Sequence, residues 1–476
     1  MSALEFGRPK RRFVPGRGFF LILLLAVFVG GGLWLLPRFE WHKPQIKINP
    51  DTDIIGLGAL EIEATDRGSG LKSFSVSLKS AGADFPLLSE QYDQPVMQKK
   101  FTLAFSSKLT GLKEGPAVLS VSARDRSLWS FFRGNESALQ RNVTIDITAP
   151  TLELIADDRY VNFGGVGVIV YKPSADTVSS GVKVGNYFFT GYKGQIKERP
   201  DHFIAFFAHP YDVAEDQRAT LVARDKAGNT REMRLVYELK NVKYKKSTIS
   251  ISDEFIAAKV APLVNDVGAR QASPKDIFIK VNRHLRKEND EKIRQTTLKS
   301  TPSMLWNVAF RQLSNSKVEA NFADARTYTY KDQVIDNAYH LGYDLSVIKH
   351  YPAEAANSGV VAFVGDLGIY GNTVIIDHGL GLFTLYSHLS SMDVKAGDPI
   401  KQGQPIGKTG ETGLAAGDHL HFGVYLHGVP VLPVEWWDQK WIRDNIQPKL
   451  EARSGESSGE LTDSKPARRA ARKRKR

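Results

Sequence analysis

The 476-residue chain contains no cysteine. Disulfides, thiolate catalysis, iron–sulfur clusters and cysteine-ligated zinc are therefore excluded, and any metal must be held by His, Asp or Glu. The chain also lacks a broadly basic body. Its net charge is +12, but residues 1–17 carry +4, through Arg8, Lys10, Arg11, Arg12 and Arg17 against Glu5. Residues 465–476 carry +8. The two ends account for the whole excess, so residues 18–464 are neutral and no central nucleic-acid-binding domain is expected. Low-complexity sequence is confined to residues 451–476, Ser/Gly/Glu-rich and then basic, which are expected to be disordered. With 42% apolar and 24% charged residues, the rest reads as globular, with room for several domains.

Gly18 to Leu36 is a run of 19 residues without a charge. As a helix rising about 1.5 Å per residue it nearly matches a hydrocarbon core about 30 Å thick. The basic residues before it leave the N-terminus in the cytoplasm and export the body. The reading is an uncleaved single-pass anchor at 18–36 behind a cytoplasmic basic segment at 1–17. A cleaved signal peptide ending near Gly30–Gly32 is the rival.

Residues 44–148 and 149–245 share landmarks. Gly68-Ser69-Gly70 is echoed by Ser179-Ser180-Gly181, and Ala123-Arg124-Asp125 by Ala223-Arg224-Asp225. Apolar Phe74, Val76 and Leu78 alternate with polar Ser75 and Ser77, the period of a half-buried strand. Two β-sandwich-like modules are expected, similar to bacterial immunoglobulin-like domains. The Gly164-Gly165-Val166-Gly167 cluster has no helix after it and is not a dinucleotide loop. A helical connector is expected over 250–318. Ser273-Pro274 caps a helix with Ile277, Val281 and Leu285 on one face; its charged residues, Arg283 to Glu291, read as a solvated face.

Seven of the eleven histidines fall between His340 and His427. His340 and Asp344 are four apart and can face one way. His419 and His421 share a strand face. Two imidazoles and a carboxylate suit zinc and leave a fourth position for water. Each pair alone is a weak signal. In combination, His340-Leu-Gly-Tyr-Asp344, Tyr370 to Gly379, Thr384-Leu-Tyr-Ser-His388 and Gly417-Asp-His419-Leu-His421 strongly resemble the LytM-type, or M23, zinc metallopeptidase domain. Gly397-Asp398-Pro399 to Gly407 matches the family's hairpin. The resemblance covers roughly residues 320–440, and the domain is placed at 320–445.

The resemblance implies a largely antiparallel β fold with a groove and cleavage of peptide bonds in peptidoglycan stem or cross-bridge peptides. It implies one zinc per chain on His340, Asp344 and His421, with His388 and His419 as catalytic histidines of undivided roles. Tyr328 and Tyr330 are candidates for an oxyanion-binding tyrosine. His350, His378 and His427 read as structural or groove residues. Trp436, Trp437 and Trp441 are expected to pack the domain's end. The whole is a mainly β, multidomain chain with an N-terminal transmembrane helix. It reads as a membrane-anchored peptidoglycan endopeptidase with its body in the periplasm or extracellular space; the alternative is an inactive cell-wall-binding scaffold that activates another hydrolase. Expected partners are peptidoglycan peptides, the membrane and, for the basic tail, an anionic surface.

Overall fold

The computed structural model describes residues 16–35, 39–103, 112–264 and 271–451. The basic segment before residue 16, the end of the apolar run at Leu36 and the tail from 452 lie outside these. The chain is mainly β and divides into two compact units. One comprises the residues up to Ala149 with Lys226–Asn229; the other comprises Pro150–Asp225 and the residues from Thr230 onward.

The first unit begins with the helix Gly16–Leu35. Phe20 and Ile22 to Leu25 on it are exposed, as are Val27 to Val29. Among the described residues no helix is long and apolar enough to cross a membrane. The transmembrane expectation thus draws no support from them; the side chains of Arg17 to Phe19 and of Leu33 to Leu35, at the two ends of the run, are not among those described. The rest of the unit is a three-stranded and a five-stranded sheet. Leu71–Ser80 pairs antiparallel with Gly115–Asp125. The alternation seen in the sequence puts Phe74, Val76 and Leu78 inward, opposite Ile62 and Ala64 of the other sheet, in one core. Each such side chain withdrawn from water contributes about 1.5–3 kcal/mol.

The second unit opens with two four-stranded sheets. Val166–Pro173 and Phe203–Ala208 pair within one, and Thr177–Val184 and Thr220–Asp225 within the other. Their core does not stop at the module's edge. Val168, Val182 and Phe206 belong to the same buried cluster as Val374, Tyr386, Phe422 and Trp436. Trp436 is fully buried against Phe206, Trp306 and Phe310. Polar pins cross the same seam. Asn162 Nδ2 and the Val166 amide donate to the two carboxylate oxygens of Glu435 at 2.7 and 2.8 Å, and buried Lys449 pairs with Asp158. A Cβ on Gly165 would stand 2.3 Å from Glu435 Oε1, so the glycine cluster is used for close approach to a buried carboxylate.

An eight-stranded sheet carries the rest of the unit, with Tyr343–Ser346, Leu420–Leu426, Leu382–Leu389, Asn372–Asp377 and Gly359–Asp366 side by side. Beside it Asp324–Tyr330 pairs with Gln333–His340. The connector is helical where the capping signal placed it. Ser273 Oγ accepts from the Asp276 amide at 3.2 Å, and Pro274–Lys280 leads through one wider turn into Arg286–Thr297. Ile277, Phe278 and Val281 are buried. Of the charged run, Arg283, Lys287, Glu288 and Glu291 are exposed, as a solvated face would be, while Asp290 and the neighbouring Asn289 are held by the segment at Ile369 and Tyr370. Arg283 Nε lies 3.0 Å from Asp336, Tyr370 donates to Asp290 at 2.8 Å, and the Ile369 amide donates to Asn289 Oδ1 at 2.9 Å. Burial pushes the Asp290 carboxyl up from its ordinary value.

Candidate metal centre

Three strands bring the histidine motifs together. His340 ends the strand Gln333–His340. Asp344 and His421 are directly opposed across the antiparallel pair Tyr343–Leu345 and Leu420–Phe422. Opposed residues have Cβ atoms about 5 Å apart, so the ladder sets the separation of two donors. Gly342 allows the third to join them, since a Cβ there would stand 2.7 Å from His421 Nε2.

The result is a tight triangle. Asp344 Oδ1 lies 2.9 Å from His340 Nε2 and 3.0 Å from His421 Nδ1, and the two nitrogens are 3.0 Å apart. These are His and carboxylate donors converging on one point, a possible metal site. The tautomers fit a cation. His340 Nδ1 is 2.9 Å from the Asn321 carbonyl; a carbonyl only accepts, so Nδ1 carries the proton and Nε2 offers its lone pair. His421 turns Nδ1 into the triangle, and its buried Nε2 has no partner.

His388 and His419 complete the group. Their rings are 4.8 Å apart, and the His388 ring is 5.8 Å from that of His421. His388 sits in the strand Leu382–Leu389 at φ +63°, a left-handed conformation that a non-glycine residue adopts at a cost. Its Nδ1 donates to the Thr412 carbonyl at 2.8 Å, and His419 Nδ1 donates to the Gly417 carbonyl at 2.8 Å. His388 therefore keeps Nε2 as its free nitrogen, while that of His419 faces Asp344 Oδ1 at 3.5 Å.

Burial opposes the charge on Asp344, but His340 and the contacts from His419 and His421 hold its carboxyl well below the usual range. Burial, reinforced by His419 and His421, holds His388 well below an ordinary histidine. Burial would lower His419 as well, but Asp344 raises it.

These five residues line one cavity of about 240 Å³. Sequence reasoning missed most of its other walls. Ile251, Phe255, Phe278 and Arg286 come from the connector and its lead-in. Tyr370 stands with its ring 5.6 Å from that of His421. Arg326 reaches Asp344 Oδ2 at 3.2 Å. Of the two tyrosine candidates, Tyr328 lines the cavity against Phe278, whereas Tyr330 donates outside it to Asp253 at 2.6 Å. His378 is buried outside the cavity, with Nδ1 bonded to the Ser358 carbonyl and Nε2 to Thr384. His427 stacks on Tyr192, and His350 is exposed. Trp436 and Trp441 pack together, and Trp437 packs on Phe422 and Tyr343.

Residues 338–433 match the family model for Peptidase family M23. This segment is an M23 peptidase domain. It is 41% identical over 95 residues to the DD-carboxypeptidase/endopeptidase Mpg of Neisseria meningitidis, covering 20% of this chain and 22% of that protein. The chain is also 35% identical over 118 residues to the peptidoglycan DD-endopeptidase ShyA of Vibrio cholerae, covering 25% of this chain and 27% of that protein. The chain thus spans about a quarter of the length of these relatives. Among solved structures, the catalytic domain of the antimicrobial peptidase lysostaphin from Staphylococcus simulans is 27% identical, with 26% of this chain and 92% of that one covered at a TM-score of 0.22.

Proposed function

We propose that the chain is a membrane-anchored, zinc-dependent endopeptidase that hydrolyses peptide bonds in peptidoglycan stem peptides or cross-links. The observation that carries this reading is the convergence of His340, Asp344 and His421 within 3.0 Å of one another beside His388 and His419, inside an M23 domain. The similarity to peptidoglycan endopeptidases supports the substrate class. All five residues are present, which disfavours the inactive scaffold.

His340 Nε2, Asp344 Oδ1 and His421 Nδ1 would hold the zinc, a donor set suited to that ion. When bound, zinc supplies Lewis acidity that makes hydroxide available near neutral pH and polarises a carbonyl. The chain's own contribution is proton handling and exclusion of water. With Nδ1–H fixed on the Thr412 carbonyl, His388 presents Nε2 as a proton acceptor. His419, fixed through Gly417, presents Nε2 beside Asp344 and can hold a proton there, as a donor to a developing oxyanion or to the departing amine. Apolar Ile251, Phe255 and Phe278 keep bulk water from one side, which strengthens each charge interaction inside. What speaks for the anchor and for a body outside the cytoplasm is the sequence itself, an uncharged run Gly18–Leu36 with a basic flank before it.

The test is metal content. The purified full chain should bind one zinc per molecule, and His340→Ala and His421→Ala should each lose it, because two remaining protein ligands hold zinc poorly. Full zinc in either variant would refute the ligand assignment.

A further inference from the structure

We propose that Arg326 is a positioning residue that holds the outer oxygen of Asp344, so that only the inner one faces His340 and His421. The two oxygens have different surroundings. Oδ1 is 2.9 Å from His340 Nε2 and 3.0 Å from His421 Nδ1, while Oδ2 is 3.2 Å from Arg326 Nη2.

The arginine is itself held. It lies on Asp324–Tyr330, where Asp324 pairs with His340 and Arg326 with Ala338. Its Nε is 3.8 Å from Asp324 Oδ2. Asp324 is 3% exposed and accepts from Ser247 Oγ through both oxygens, at 2.9 and 2.8 Å. Ser247 is fixed by the parallel pairing of Lys246–Ser250 with Ala325–Thr329. The guanidinium thus lies between two carboxylates, hydrogen-bonded to Asp344 and within ion-pair distance of Asp324, its buried Nε without a hydrogen-bond partner, and only 20% of its side chain is exposed.

A guanidinium this close to a cation site repels the cation, so charge alone gives no reason for it there. Geometry does. The terminal torsion of a carboxylate is broad, and a free Asp344 could turn to offer both oxygens to one ion. Engaging Oδ2 leaves one donor and keeps the fourth position open.

The inference rests on the zinc reading above. The test compares wild type, Arg326→Gln, Arg326→Lys and Asp324→Asn by chelator competition for zinc and by the visible spectrum of the cobalt-substituted full chain. Loss of an outer-shell partner costs about 10–100-fold in metal affinity. We expect that loss for Arg326→Gln, together with weaker cobalt bands as coordination rises above four. Arg326→Lys should recover part of both, and Asp324→Asn should move both in the same direction by less. Should Arg326→Gln not fold, the other two variants carry the test. Wild-type affinity and spectrum in the variants would overturn this inference and leave the zinc reading standing. So would a raised KM with unchanged metal binding, which would make Arg326 a substrate contact. A wild-type chain that binds no zinc would overturn both.

Discussion

Glu435 gives the sharpest stability prediction. It is fully buried between the first strands of the second unit and its C-terminal helices, held by Asn162 and the Val166 amide. Burial pushes its pKa from 4.5 to about 8, against the lowering by those two bonds. The unfolded chain releases this proton near pH 4.5, and the folded chain near 8. Between those values the folded state binds more protons, so stability falls as pH rises. At about 1.36 kcal/mol per pH unit, the fall across the window is on the order of 5 kcal/mol. Glu435→Gln keeps an oxygen for Val166 and removes the titration. Denaturant unfolding of the full chain at steps from pH 4.5 to 8.5 should show the variant gaining on wild type throughout that window. Below pH 4.5 the difference should be constant. The background from His378 and His427, whose burial lowers both to about 4, cancels in the comparison. Parallel curves for the two proteins would refute the argument, and so would a variant that loses ground as pH rises.

Three further predictions follow from the site and the N-terminal run. His388→Ala and His419→Ala should each keep zinc and lose activity by about 10²–10⁴-fold, the usual effect of removing a general acid or base; zinc loss in His419→Ala with retention in His421→Ala would show the two roles reversed. Phe278→Ala, at a position 1% exposed and packed on Tyr328, should cost about 3–5 kcal/mol in denaturant unfolding, and a change under 1 kcal/mol would mean the connector is not part of the core. The full chain should fractionate with membranes; a mature protein beginning near residue 32 would indicate a signal peptide instead.

The legible parts were those written in short sequence intervals. His-x-x-x-Asp and His-x-His carry chemistry at fixed spacing, and Asp344 and His421 do oppose each other on adjacent strands. The alternation of Phe74, Val76 and Leu78 fixed an inward face. The cap at Ser273 marked a helix start. What the sequence concealed depends on contacts between distant segments. Arg326 has no motif of its own, and its role comes from the register that sets Asp324 against His340. The charged run from Arg283 to Glu291 is mostly exposed; the one member turned inward, Asp290, could not be singled out because Tyr370, which binds it, lies about 80 residues away. Repeat spacing marked a second β module but gave no sign that its core runs on into that of the peptidase domain, as apolar periodicity names a buried face but not what covers it.

Metal-dependent hydrolysis of peptidoglycan peptides is tested by mass analysis of the fragments that the zinc-loaded full chain releases from purified sacculi. The expected result is loss of cross-linked or full-length stem peptides through a defined peptide bond, abolished by chelation, restored by zinc, and absent with His340→Ala. Unchanged sacculi in the presence of a chain that carries one bound zinc would contradict it.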